Sequence, residues 1–275
     1  MPELPEVETI RRQLAPLTVG RTVLGADSHP STKFTPARLM IGATFTGVGR
    51  RGKYLLFSTN DDRELVAHLG MTGSFRFTGS DRAPTGAHLR AWWQLGPGQE
   101  RDDGVDVLRF DDIRRFGRLR VVTAGDYSDI PTLAGAGPEP FDPDFNAEQF
   151  WERLAVGKRR IKTKLLSQRP IAGVGNIYAD EALWLAGINP NVSRLGRQRA
   201  ADLLDALRIV LDQGLANGGT TLRDYRNIDG GSGENQKQLN VYGRGGQACP
   251  RCHHVLRSAA IDGRTTTWCP TCQRH

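Results

Sequence analysis

Cys249, Cys252, Cys269 and Cys272 form two Cys-x-x-Cys pairs separated by 16 residues, and they are the only cysteines in the 275-residue chain. This spacing matches a four-thiolate zinc site, and four cysteine ligands leave no open coordination position, so one structural Zn2+ ion is expected. The alternative is a pair of structural disulfides. Against it, the chain shows no signal peptide and no transmembrane run, which places it in the cytoplasm, where thiols stay reduced.

A chain of this length suggests two domains plus a small module. The formal net charge of +7 is unevenly spread. Residues 1–150 carry 18 Lys and Arg against 20 Asp and Glu, whereas 151–275 carry 19 against 10. A basic half that also holds the cysteine module points to a phosphate backbone as partner. A solvated basic surface without a partner is the alternative.

Val7, Ile10 and Leu14 recur at helical spacing, and short β-branched and aromatic runs such as Tyr54 to Phe57 and Leu119 to Val122 follow across residues 20–123, broken by Gly, Pro and Asp. The expectation is an α+β multidomain chain: an N-terminal helix with a β-rich domain over 1–130, a Gly- and Pro-rich linker over 131–145, a helical domain over 146–235 and the cysteine module over 236–275. In the helical part, Asn146 and Gln149 read as a capping box. Phe150, Trp151 and Leu154 make one apolar face, and Leu203, Leu204, Leu207, Val210 and Leu211 another that ends near Gly214. The run from Gly173 to Trp184 reads as a glycine-containing turn into a helix starting near Asn176, either a phosphate-binding N-terminus or a tight αα turn. Lys162 and Lys164 lie just upstream.

The opening run Met-Pro-Glu-Leu-Pro-Glu-Val-Glu-Thr has two readings. Loss of Met1, which a small second residue favours, exposes the secondary amine of Pro2 beside several carboxylates. An unperturbed α-amino group has a pKa of about 8, so a useful fraction is neutral near pH 7 and able to attack a carbonyl-type carbon. Alternatively, proline and acids in a first helical turn are ordinary capping chemistry, with Glu3, Glu6 and Glu8 complementing the helix dipole.

With these residues in hand, the chain resembles the formamidopyrimidine-DNA glycosylase family of bifunctional base-excision repair enzymes. The resemblance runs nearly end to end: PELPEVE at 2–8, RRGKYLL at 50–56, HLGMTGS at 68–74, RRFG at 114–117, GVGNIYADEAL at 173–183, GGTTLRDY at 218–225, VYGR at 241–244 and the cysteine cluster occur in family order. Leu4 looks more like this branch than the related endonuclease VIII branch, which typically has glycine there. The resemblance implies a β-sandwich with the N-terminal helix, then a helix-two-turn-helix domain with a C-terminal zinc finger. It also implies a monomer acting on double-stranded DNA that carries oxidised bases or abasic sites, with no redox or organic cofactor.

In the implied chemistry, Pro2 attacks C1′ of the damaged nucleotide, Glu3 is the general acid, Glu6 and Lys53 belong to the catalytic group, and β and δ elimination follow. Met71, Arg114 and Phe116 match residues that fill the space left by an extruded base. Lys53, His68, Asn176 and Arg264 match phosphate contacts, Arg115 shares the RRFG motif, and Lys162, Tyr178 and Arg223 match positions near the DNA or the lesion. Two segments depart from the family pattern. Asn235 stands where an aromatic is usual in a lesion-covering loop, which bears on oxidised-purine selectivity. Asp111-Asp112-Ile113 replaces the usual Asp-Pro before RRFG, and Ala91 to Asp106 looks longer than the common hairpin. The alternatives to a purine-lesion glycosylase are a glycosylase and lyase that prefers oxidised pyrimidines, and a non-catalytic zinc-finger protein that binds damaged DNA.

Overall fold

The computed structural model describes residues 1–78, 83–97, 106–222 and 225–274, which form two compact units: Met1–Ala134 with Gly218–Glu234, and Gly135–Asn217 with Asn235–His275. The first unit opens with helix α1 (Leu4–Thr18), which has proline in its first turn and buries Val7, Ile10 and Leu14 at the expected spacing. Strands β1 (Val23–Ser28), β2 (Phe45–Arg51), β3 (Tyr54–Thr59), β4 (Arg63–His68), β5 (Gly73–Thr78), β6 (Leu89–Leu95), β7 (Asp106–Asp112) and β8 (Arg118–Thr123) follow. They form two antiparallel four-stranded sheets, ordered β1-β6-β7-β5 and β2-β3-β4-β8.

The two sheets share one core with α1, in which Phe57 and Phe75 from opposite sheets lie with ring centroids 5.6 Å apart. The two-residue period of a strand explains the division of labour along β3. Leu55 and Phe57 enter the shared core, while Tyr54 and Leu56 face the other way, against Ile130, Leu133 and Tyr127. Covering both faces is why Glu64 to Ala67 of β4 are all buried. The expected sandwich is therefore present. The segment between Ala91 and Asp106 lies only partly within the described residues, since 98–105 fall outside them.

The segment after β8 is packed rather than loose: the one-turn helix α2 (Pro131–Ala134) buries Leu133 against Val66, and Phe145 is buried further on. Residues 218–234 group with the first unit, whereas the sequence reading assigned them to the helical domain. The cause is their partners. Tyr225 and Ile228 join the sandwich core, and the backbone N–H of Ile228 donates to Gln13 of α1 at 3.2 Å.

The second unit holds α3 (Ala147–Ala155), α4 (Ile161–Leu166), α5 (Asn176–Leu185) and α6 (Arg197–Ala216), then the hairpin β9 (Arg257–Ile261) and β10 (Arg264–Trp268). The predicted apolar faces are buried, except that Trp151 is half-buried, with its indole N–H on the Leu195 carbonyl at 3.0 Å and Arg197 stacked on its ring. The capping box forms as expected: Asn146 Oδ1 accepts from the Gln149 N–H, and Gln149 Oε1 from the Asn146 N–H, both at 3.1 Å. Among the described residues, no helix is long and apolar enough to cross a membrane. Replacing Asn146→Ala orphans one of these first-turn donors and is expected to lower stability by about 1 kcal/mol in thermal melting, with Asn146→Ser close to wild type.

Candidate active site and nucleic-acid interface

The N-terminal acids do more than complement a helix dipole. Glu6 is fully buried, and its carboxylate holds two backbone donors: Oε2 accepts from the Glu3 N–H at 2.7 Å and Oε1 from the Thr220 N–H at 2.6 Å. The first bond fixes the start of the chain, with Pro2 and Glu3 buried beside α1 and Met1 exposed. The second fixes the 218–234 segment to the same carboxylate. Gly219 makes that approach possible, because it has φ +88° and any Cβ there would lie 2.9 Å from Glu6 Cγ. Tyr225 reinforces the junction by donating to the Gly218 carbonyl at 3.2 Å. Burial, followed by the neighbouring Glu6 charge, pushes the Tyr225 phenol well above its usual range and keeps it a donor.

Lys53 lies in the two-residue turn between β2 and β3 and is buried. The turn is tied to α1 through Arg50, which donates to Glu8 Oε2 and to the Gly52 carbonyl, each at 3.1 Å. Glu8 also takes bonds from Arg11 and Arg12 at 2.9 Å. Burial raises its pKa, but the three guanidinium groups outweigh that and hold it below the usual carboxylate value. At the end of β4, His68 packs on Tyr54 with centroids 4.8 Å apart, and its Nδ1 accepts from the Gly70 N–H at 3.1 Å. That bond leaves the proton of the neutral ring on Nε2. Burial, then the Lys53 and Arg118 charges, lowers the His68 pKa from 6.5 to about 4.

Met71 sits in the loop before β5, and Arg114, Arg115 and Phe116 in the loop after β7. The two loops are joined by Asp112, which is completely buried. Its carboxylate accepts from the Thr72 hydroxyl and, at 2.6 Å, from the Gly117 N–H, while Thr72 Oγ1 accepts from the Arg114 N–H at 2.9 Å. Gly70, at φ +63°, lets the chains touch, since a Cβ there would lie 2.4 Å from the Phe116 carbonyl carbon. The result presents Met71 half-buried and Arg114, Arg115 and Phe116 exposed, with the Arg114 guanidinium 5.0 Å above the Phe116 ring. Asp112, noticed in the sequence as a departure before RRFG, is thus the residue that organises this surface.

In the second unit, Asn176 opens α5 and donates through Nδ2 to the Thr265 carbonyl at 2.9 Å, and Arg264 is exposed at the start of β10. Two other residues expected near DNA are inside the unit. Lys162 is completely buried: its ammonium lies 2.6 Å from Asp180 Oδ1 and donates to Thr266 Oγ1 at 2.7 Å and the Thr265 carbonyl at 3.2 Å. Tyr178 is buried with its ring over Gly214, and its hydroxyl receives Asn235 Nδ2 at 3.5 Å. Neither side chain faces solvent, because a buried ammonium must be paired and the ring fills a helix crossing. Lys164 is likewise used internally, on the Leu154 and Ser193 carbonyls. Asn235 is itself buried, accepting from Asn217 at 3.2 Å. Arg223 lies outside the described residues.

The four cysteine sulfurs lie within 4.8 Å of one another, with Cys252 to Cys269 at 3.4 Å and Cys249 to Cys272 at 3.9 Å. Sulfurs at the corners of a tetrahedron around zinc are about 3.8 Å apart. The donor set therefore fits one structural zinc, and the separations are far too long for the disulfide alternative. Trp184 of α5, Val241 and Leu256 pack around the cluster, and Arg251 stacks 3.9 Å from the Trp184 ring.

The His68 environment has a measurable consequence. In a histidine-resolved NMR titration, the ring is expected to stay neutral at pH 5.5. The unfolded ring takes up its proton near 6.5 and the folded ring only near 4, so protonation favours unfolding and stability is lost as pH falls through that window. A His68→Gln variant is expected to show a shallower loss of stability over the same range.

Comparison with known proteins agrees with this geometry. Residues 1–119 match the formamidopyrimidine-DNA glycosylase N-terminal domain, 136–226 the H2TH domain of the same enzymes, and 246–274 the zinc finger found in FPG and IleRS. The formamidopyrimidine-DNA glycosylase of Thermus thermophilus is 44% identical over 277 residues, 99% of this chain and 98% of that protein. That of Deinococcus radiodurans is 41% identical over 286 residues, covering 99% and 97%. The crystal structure of the MutM (Fpg) protein from Thermus thermophilus superposes with a TM-score of 0.88 at 44% identity, covering 99% of this chain and 98% of that one. Lactococcus lactis Fpg in complex with DNA containing an abasic site gives 0.87 at 34% identity, covering 99% and 100%. On its sequence, its two-unit fold and its clustered cysteines, the chain belongs to the formamidopyrimidine-DNA glycosylase family.

Proposed function

We propose that this chain is a base-excision repair enzyme, a DNA glycosylase with abasic-site lyase activity that removes oxidised purines such as 8-oxoguanine and formamidopyrimidines from duplex DNA. The observation that carries the reading is the Glu6 carboxylate, which fixes the chain start at Glu3 and the 218–234 segment at Thr220 together. Such a fixed N-terminus suits an amine that must meet a particular carbon, since a misplacement of about 1 Å can cost a hundredfold in rate.

Once Met1 is removed, the Pro2 nitrogen attacks C1′ of the damaged nucleotide and the bond to the base breaks. The base leaves with a proton, and the sugar ring opens as the nitrogen–carbon iminium forms. Glu3 is the proton donor for ring opening. Glu6, with each oxygen already holding a backbone N–H, acts by positioning. Loss of a proton from C2′ then expels the 3′ phosphate, and a second elimination expels the 5′ phosphate, leaving a one-nucleotide gap with phosphate ends. Water releases the sugar fragment from Pro2.

Extruding a base costs a few kcal/mol, and the exposed Arg114 and Phe116 with Met71 supply the groups to occupy its place. Lys53, the neutral Nε2–H donor of His68, Asn176 and Arg264 are the phosphate contacts of this reading, and Arg115 adds charge beside the inserted residues. Zinc holds the finger in shape and takes no part in the chemistry. We place this activity in the cytoplasm, where reducing conditions keep four thiolates available to the metal.

Duplexes carrying 8-oxoguanine, a formamidopyrimidine or an oxidised pyrimidine are the direct test. The purine lesions are expected to be excised fastest, with phosphates at both ends of the gap. Glu3→Gln is expected to bind DNA yet lose roughly 10²–10⁴-fold in base excision. Faster excision of the pyrimidine lesion would move the substrate to the alternative class, and binding without any strand cleavage would identify a non-catalytic protein.

A further inference from the structure

The buried lysine of α4 stands apart from the chemistry above, and so does a chain of contacts along the finger hairpin. Lys162 and Asp180 form an ion pair with both side chains 1% exposed. The pair does not stop at itself. Lys162 also holds the Thr265 carbonyl and the Thr266 hydroxyl, and the second oxygen of Asp180 accepts from the Thr267 N–H at 3.0 Å. Asn176 shares the Thr265 carbonyl. At the hairpin tip, Asp262 at φ +47° accepts from the Thr163 hydroxyl and reaches the Arg160 guanidinium at 3.4 Å. The hairpin is therefore gripped by α4 and α5 at its tip, residue 262, and along β10 at residues 265, 266 and 267, and Arg264, exposed, lies inside that span.

Glu181, next to Asp180 on α5, continues the grip on the chain entering the finger. Its carboxylate accepts from the backbone N–H groups of Asn240, Val241 and Tyr242 at 2.8–2.9 Å. A buried ion pair is weak evidence for stability, because desolvation offsets most of its attraction. Here both partners also bond to one short strand, at Thr265, Thr266 and Thr267, which fixes geometry.

We infer that Lys162 and Asp180 are positioning residues for DNA binding: with Asp262, they hold β10 so that Arg264 meets a backbone phosphate, and they touch no DNA themselves. This rests on the reading of Arg264 as a phosphate contact. It explains why a lysine at a position the family resemblance associates with DNA has no solvent-facing charge. The pair also leaves the cysteine cluster untouched, so zinc content and hairpin placement are separable.

A double-mutant cycle on an abasic-analogue duplex tests the inference, using the full zinc-loaded chain. Arg264→Ala is expected to weaken binding roughly tenfold and to lower the salt slope by about one. Lys162→Met is expected to do nearly the same while retaining one zinc per chain, and the double variant to be no weaker than Arg264→Ala alone. The loss is expected in KM and not in the single-turnover excision rate at saturating enzyme. Should Lys162→Met fail to fold, the half-exposed Asp262→Ala runs the same cycle, with Asp262→Asn, which keeps an acceptor for Thr163, restoring affinity. Additive losses in the double variant, or wild-type affinity for both Lys162→Met and Asp262→Ala, would overturn the inference while leaving Arg264 as a contact. An Arg264→Ala protein with wild-type affinity and salt slope would remove the contact itself, and the inference with it.

Discussion

A buried carboxylate with two backbone N–H groups in its grasp is the constraint on which the N-terminal unit depends. Glu6 could not be buried in the first turn of α1 unless its carboxylate found donors, because an unpaired buried charge costs several kcal/mol. The donors it finds come from opposite ends of the first unit's sequence, Glu3 and Thr220. Charge-assisted bonds of this kind are short and directional, so they fix relative position as well as energy. The start of the chain cannot drift without orphaning a donor in the 218–234 segment, and that segment cannot move without releasing the start of the chain. Glu8 extends the pattern through Arg50 to the turn bearing Lys53, so Glu3 and Lys53 are both located from the first two turns of α1.

The same physical device recurs in both units. Asp112 ties the loop carrying Met71 to the loop carrying Arg114 and Phe116, and Glu181 caps three successive N–H groups ahead of the zinc cluster. Each is an acid facing inward in a protein whose overall charge is positive. The surface cations give the chain its attraction for a polyanion, which is long-ranged and unspecific. The buried acids convert that attraction into fixed geometry. A sequence count of charges cannot separate these two populations, since Lys162 and Lys164 add to the basic excess yet spend their charge inside the second unit.

What could be read from the sequence followed the range of the interactions. Local signals were reliable. The helix over Val7 to Leu14 and the Asn146–Gln149 capping box are set by residues three or four positions apart, and the start of α5 at Asn176 by the glycine-containing turn just before it. The cysteine cluster was legible because the chemistry of four thiolates and their spacing overdetermine it. Long-range partnerships were not legible from periodicity. Thr220 lies 214 residues from Glu6, and nothing local marks residues 218–234 as part of the first unit. Glu6 itself was visible as an acid in a first helical turn, but the number of backbone donors it holds depends on where a distant segment docks. The family resemblance associates Tyr178 and Lys162 with positions near the DNA or the lesion, and what it does not reveal is that both side chains are buried: one fills the crossing against Gly214, the other pairs with Asp180.

The central claim is that the fixed N-terminus delivers a proline amine to a sugar carbon. Borohydride reduction during reaction with a duplex containing one abasic site, followed by peptide mapping of the adduct, tests it most directly, because an iminium is reducible and a non-covalent complex is not. The account predicts one stable crosslink per chain, mapped to Pro2 after loss of Met1 and absent from a Pro2→Gly-blocked, N-acetylated control. A protein that binds the duplex tightly but yields no crosslink, or a crosslink that maps to Lys53, would contradict it.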